Sequence, residues 1–117
     1  MADPNKALEK LRGVCLALPH TAEVEAWGHP TFRVKNKIFA TFGEDKEGEA
    51  SLGFKTTIPE QKILCERDDC RVADYVGRHG WVTMRLKGRP RWKEIEAFVI
   101  ESFRMIAPKR VVQELDG

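Results

Sequence analysis

The chain has 117 residues, 42% of them hydrophobic, and its 20 lysines and arginines against 18 aspartates and glutamates give a formal net charge of +2. That length and apolar content suit one ordinary core, so residues 1–117 read as a single domain. No run approaches the roughly 20 apolar residues of a membrane-spanning helix, and so mild a charge excess says nothing about nucleic acid until the cations are placed. The opening Met1-Ala-Asp-Pro-Asn-Lys6 reads as polar rather than as a charged-then-apolar signal, and Cys15, Cys65 and Cys70 form neither a CxxC pair nor a regular framework. A cytoplasmic protein with reduced thiols is expected.

Asp3-Pro4 is a helix opening, with the aspartate as cap and the proline where a missing N–H is harmless. Leu8, Leu11, Cys15 and Leu18 then recur at helical spacing, and Leu18-Pro19 ends the helix. Thr21 to Trp27 leaves in an extended path, and Gly28-His-Pro30 reads as a turn. Thr31 to Lys35 alternates as a half-buried strand, Asn36-Lys37 supplies a hairpin, and Ile38 to Gly43 returns. The acidic stretch Glu44 to Glu49 is a solvated loop before a third strand, Ala50 to Lys55. Thr57-Ile-Pro-Glu60 opens a short helix over Gln61 to Glu66 that Arg67 to Cys70 closes. After the Gly77-to-Gly80 turn, Trp81 to Leu86 adds a strand. Pro90 leads into a long helix whose Trp92, Ile95, Val99, Ser102 and Ile106 share a face, with Pro108 as its stop and Lys109 to Leu115 as a last helical turn or two. The expectation is an α+β domain, an antiparallel sheet of about 4–5 strands with helices packed on one face.

Six segments in this order are similar to the bacterial MmcQ/YjbR family: Leu18-Pro-His-Thr-Ala-Glu23, Trp27-Gly-His-Pro-Thr-Phe-Arg-Val34, Lys37-Ile-Phe-Ala40, Leu52-Gly-Phe-Lys55, Gly80-Trp-Val-Thr83 and Ser102-Phe-Arg-Met-Ile-Ala-Pro-Lys109. The resemblance covers nearly the whole chain. It implies a CyaY-like α+β fold and a DNA-binding role proposed for the family by analogy of fold. Two positions depart from it, Phe103 where relatives often carry tyrosine and His20 where glycine is frequent.

The cations are the one feature with a mechanism attached. Arg85, Lys87, Arg89, Arg91 and Lys93 fall at every second position, the hairpin supplies Arg33, Lys35 and Lys37, and the third strand ends on Lys55. Alternate residues of an extended segment share a face, so these side chains should project away from the core, as two basic wings suited to phosphates. Trp81 and Trp92 border the region, more as core than as platforms for bases. A second candidate is a ligand or protein-docking pocket at Gly28-His29-Pro30, where Glu23, Glu25, Trp27 and His29 are expected to converge. Catalysis needs a nucleophile or acid beside an oriented base, and no such signature appears, so a binding protein rather than an enzyme is expected. Cys65 and Cys70 with Asp68 and Asp69 lack the spacing of a zinc site, and no metal or cofactor is expected. DNA, met mainly through its phosphates, is the expected partner and a protein the alternative, with no membrane contact expected.

Overall fold

The computed structural model describes residues 4–44 and 47–117. The Asp3 cap and part of the Glu44–Glu49 loop lie outside them. The elements are α1 (Pro4–Leu16), β1 (Thr21–Ala26), β2 (His29–Val34), β3 (Lys37–Glu44), β4 (Ala50–Lys55), α2 (Ile58–Leu64), β5 (Cys70–Val72), β6 (Trp81–Arg85), α3 (Trp92–Ile106) and α4 (Lys109–Asp116). A single 3-10 turn, Gly77–His79, precedes β6.

The fold is α+β, as the sequence indicates, with six strands in the order β1-β2-β3-β4-β6-β5, every neighbour antiparallel. The sheet is slightly larger than the 4–5 strands expected, because two segments outside the four alternating ones also pair. Thr21 to Ala26 is more than an extended path, because it pairs along its whole length with β2, and Cys70 to Val72 forms an edge strand where a helix closure was expected. The turns shift as well. Ala26 pairs with His29, so Trp27-Gly28 makes the first hairpin turn and His29-Pro30 already belongs to β2. Val34 pairs with Lys37, so Lys35-Asn36 makes the second. All four turn residues have positive φ (54, 79, 49 and 67°), the backbone that two-residue turns between right-twisted strands require.

Strand alternation divides the sheet into two faces. Phe32 and Val34, Ala40 and Phe42, Leu52 and Phe54, and Val82 and Met84 are buried on the helix side, closed by Leu11 and Cys15 of α1 and by Ile95, Val99 and Phe103 of α3. Phe103 meets Phe39 edge-on at 5.4 Å, and Phe98 stacks on Phe54 at 4.9 Å. Such pairs add to the burial of the rings themselves.

One polar side chain in this core has a specific task. Register shifts between Phe32 and Arg33, leaving Phe39 as an extra residue of β3, and the β3–β4 ladder stops at Ala40 opposite Phe54. One step further would set Phe39 against Lys55. Instead the fully buried Ser102 hydroxyl stands between them, accepting from the Lys55 N–H at 2.9 Å and donating to the Phe39 carbonyl at 2.7 Å. The helix thereby satisfies two backbone groups that the bulge has separated.

Candidate functional site: the open face of the sheet

Residues paired across the strands share a face, and the register gives the row opposite the helices as Val24, Thr31, Thr41, Gly53, Thr83 and Arg71. Its centre is low because Gly53 has no side chain. A Cβ there would lie 2.2 Å from the Thr41 hydroxyl oxygen. No described helix covers this floor, and over it opens a groove of about 900 Å³. A smaller hollow of about 240 Å³ continues it toward Gly43 and Ser51, sharing Trp27, His29, Thr41, Gly53 and Thr83 with the larger one.

Three aromatic rings line the groove. Trp27 comes from the β1–β2 turn, Tyr75 from the β5–β6 connection, and Trp81 from the first residue of β6. Trp27 is 84% exposed and Tyr75 98%. Both sit in the left-handed region, at φ 54 and 64°. For a bulky residue that backbone costs on the order of 1 kcal/mol or more, and neither ring recovers it by burial. The hairpin turn demands this backbone at Trp27 whatever the residue, and at neither position does burial account for an aromatic ring. Trp81 is half-buried and lines the groove, which corrects its expected place in the core.

The connection carrying Tyr75 and Trp81 is anchored from behind. Buried Gln61 of α2 donates its amide to the Gly77 carbonyl at 2.7 Å and to the Trp81 carbonyl at 2.9 Å, and the Ala73 N–H reaches the same Trp81 oxygen at 3.1 Å. Gly80, at φ 94°, accepts from the Thr56 N–H at 2.9 Å and packs so closely that a Cβ would lie 2.0 Å from the Thr56 oxygen.

The expected cations divide by the strand register. Arg33 and Lys37 line the groove with His29, and Lys35 stands beside them at the hairpin tip. Arg33 donates to the Thr31 hydroxyl at 3.1 Å, which holds its side chain along the sheet. Asp74, the acid of the groove, faces Arg71 at 3.5 Å. Lys55 lies at the same end of the sheet, because it pairs with Trp81, and its ammonium is occupied by the His79 carbonyl. Arg85 pairs with Ser51 at the opposite end, roughly 13 Å along the strand, and donates to the Asp68 carbonyl. Lys87, Arg89 and Arg91 follow it around a second concavity of about 370 Å³. There Arg67 is tied to Asp69 at 2.9 Å and Glu94 at 3.0 Å. Burial opposes ionisation of Asp69, but the hydrogen bonds and charge of Arg67, together with hydrogen bonds from Cys70 and the backbone, jointly hold the carboxyl below its ordinary range. The two basic wings thus lie at opposite ends of the sheet.

The expected pocket of Glu23, Glu25, Trp27 and His29 does not assemble. Glu23 pairs with Phe32 and so faces the helices, where Arg12 of α1 binds its carboxylate at 2.6 and 2.9 Å. Glu25 is exposed opposite Pro30. His29 and Trp27 do meet, but on the other face. His20, where the family resemblance pointed to glycine, has φ 60°, the backbone that glycine adopts freely. Burial pushes the Cys15 thiol far above its ordinary range and the Cys70 thiol up to about 12, so both stay neutral and unreactive. Among the described residues no three histidine, cysteine, aspartate or glutamate side chains gather as metal ligands.

The sequence model of the YjbR family matches residues 16–105. The chain belongs to the YjbR family. The match runs from the end of α1 through α3, so every residue of the groove lies within the YjbR domain. The fold is also similar to that of Deinococcus radiodurans protein DR2400, a DUF419 domain, with a TM-score of 0.78 at 20% identity over 99% of this chain and 92% of that one. A Pseudomonas syringae protein is similar with a TM-score of 0.70 at 15% identity, over 89% of this chain and 98% of that one. No curated protein matches this YjbR chain.

Proposed function

We propose that this protein is a non-catalytic, cytoplasmic DNA-binding protein whose contact surface is the open face of the sheet with the β2–β3 hairpin beside it. One observation supports the reading above the others: Arg33 and Lys37, with Lys35 beyond them at the hairpin tip, border a groove lined by Trp27, Tyr75 and Trp81 on the sheet face that no described helix covers. Cations that neutralise phosphates release condensed counterions, and aromatic faces offer a surface to bases. The Arg85–Arg91 cluster lies at the other end of the sheet from the hairpin, beside Ser51 of the smaller hollow, and takes up flanking phosphates.

A labelled DNA titrated at several salt concentrations tests this. The triple variant Arg33→Glu, Lys35→Glu, Lys37→Glu is expected to lose at least tenfold in affinity and to flatten the salt dependence by about two in log–log slope. The triple variant Lys87→Glu, Arg89→Glu, Arg91→Glu should lose less. The reverse ranking would move the interface to the far loop, and wild-type protein that binds nothing at low salt would end the DNA reading.

The groove also has the volume of a small-molecule site and walls that are largely apolar, which favours a planar ligand as the second reading. A ligand of that kind would bind with little response to salt or to the hairpin cations.

A further inference from the structure

Resting on the DNA-binding reading, we infer that the groove takes unpaired bases of single-stranded DNA and discriminates against the duplex. The placement of the rings carries this. Trp27 stands at the β1–β2 turn on one side of the sheet, Tyr75 and Trp81 rise from the β5–β6 side, and between them lies a floor of Thr41, Gly53 and Thr83. A double helix presents phosphates outward and keeps its base faces stacked inside. It would rest on the upstanding rings and leave the floor empty. Unpaired bases have both faces free, lie flat on aromatic surfaces, and do so whatever their identity because every base has a π-face.

The floor is suited to flat objects. Gly53 leaves its centre flush, since any side chain would collide with the Thr41 hydroxyl. Walls so largely apolar cannot satisfy a phosphate, and the cations that can, Arg33 and Lys37, line the groove on its hairpin side, with Lys35 beyond them. The acid in the groove, Asp74, is matched by Arg71. Bases in the groove and phosphates along the hairpin are therefore the complementary arrangement. The exposure of Trp27 and Tyr75 fits the same account, because an incoming base can reach both rings.

The test uses fluorescence anisotropy with a short labelled oligonucleotide, single-stranded or annealed to its complement, at one low salt concentration. Wild-type protein should bind the single strand at least tenfold more tightly than the duplex. The variant Trp27→Ala, Tyr75→Ala should lose about 30-fold or more on the single strand and change by less than about twofold on the duplex. Both side chains are almost fully exposed, so an unchanged melting midpoint verifies the fold. Duplex binding as tight as single-strand binding, or a double variant that binds the single strand normally, overturns the inference while leaving the DNA reading in place. Failure to bind either form removes both.

Discussion

Replacing Ser102 by alanine should destabilise the protein by about 2–5 kcal/mol, although only one oxygen is removed. The hydroxyl serves two buried backbone groups at once, the Lys55 N–H and the Phe39 carbonyl, and no strand can take its place because the bulge has separated them. Each group left without a partner costs about 1–3 kcal/mol, against a total stability on the order of 5–15 kcal/mol for a domain. The neighbouring exposed Glu101→Ala should stay within about 0.5 kcal/mol. Urea unfolding of the two variants decides the matter, read as a change of midpoint at constant slope. Equal midpoints would show that water enters and replaces the hydroxyl.

Gly80→Ala should be comparably severe, by about 2 kcal/mol or more, for a reason of backbone rather than chemistry. At φ 94° an added Cβ is strained, and it would also lie 2.0 Å from the Thr56 oxygen, part of the backbone that bonds Gly80 to the end of β4. Relief requires β4 and β6 to part where Lys55 faces Trp81. The melting midpoint should fall by roughly 8 °C or more, and DNA affinity should fall with it because Trp81 is the next residue. A variant that melts like wild type would mean that the Thr56 segment yields without cost. Gly28 is the contrasting case, since its positive φ is shared but a Cβ there meets nothing within 4 Å.

The sequence was most legible where periodicity was long and punctuated. α3 follows from fifteen residues of helical spacing between Pro90 and Pro108, and β4 and β6 from clean alternation. β5 was hidden because three residues carry no measurable period, and Asp68-Asp69 before it reads as loop. β1 was read as extended but not as paired, since an edge strand exposing Ala22, Val24 and Glu25 has little apolar signal. Its parity decides the fate of the glutamates. Whether Glu23 faces His29 or Arg12 depends on a register that only pairing fixes, and a one-residue difference exchanges the faces.

The site was half legible. Trp27, His29, Arg33 and Lys37 are legible in the sequence, though in two separate candidates, and the fold joins them in one groove. Tyr75 gave no sequence signal, because a lone tyrosine in a loop resembles any other. Trp81 reads as core, where a tryptophan in an alternating strand ordinarily belongs, and Gly53 acquires meaning only beside Thr41. What made the groove invisible is that its members come from five separate stretches of chain.

The three tryptophans offer the most direct test of the open face as the DNA surface. Each indole N–H gives its own signal in a nitrogen–proton correlation spectrum, assignable by single substitution. Trp27 and Trp81 line the groove, whereas Trp92 lies at the start of α3 with Lys10 over its ring. Titration with an unpaired oligonucleotide should move the Trp27 and Trp81 signals together and leave Trp92 in place. Movement of Trp92 with the other two unchanged would place the contact elsewhere and contradict the account.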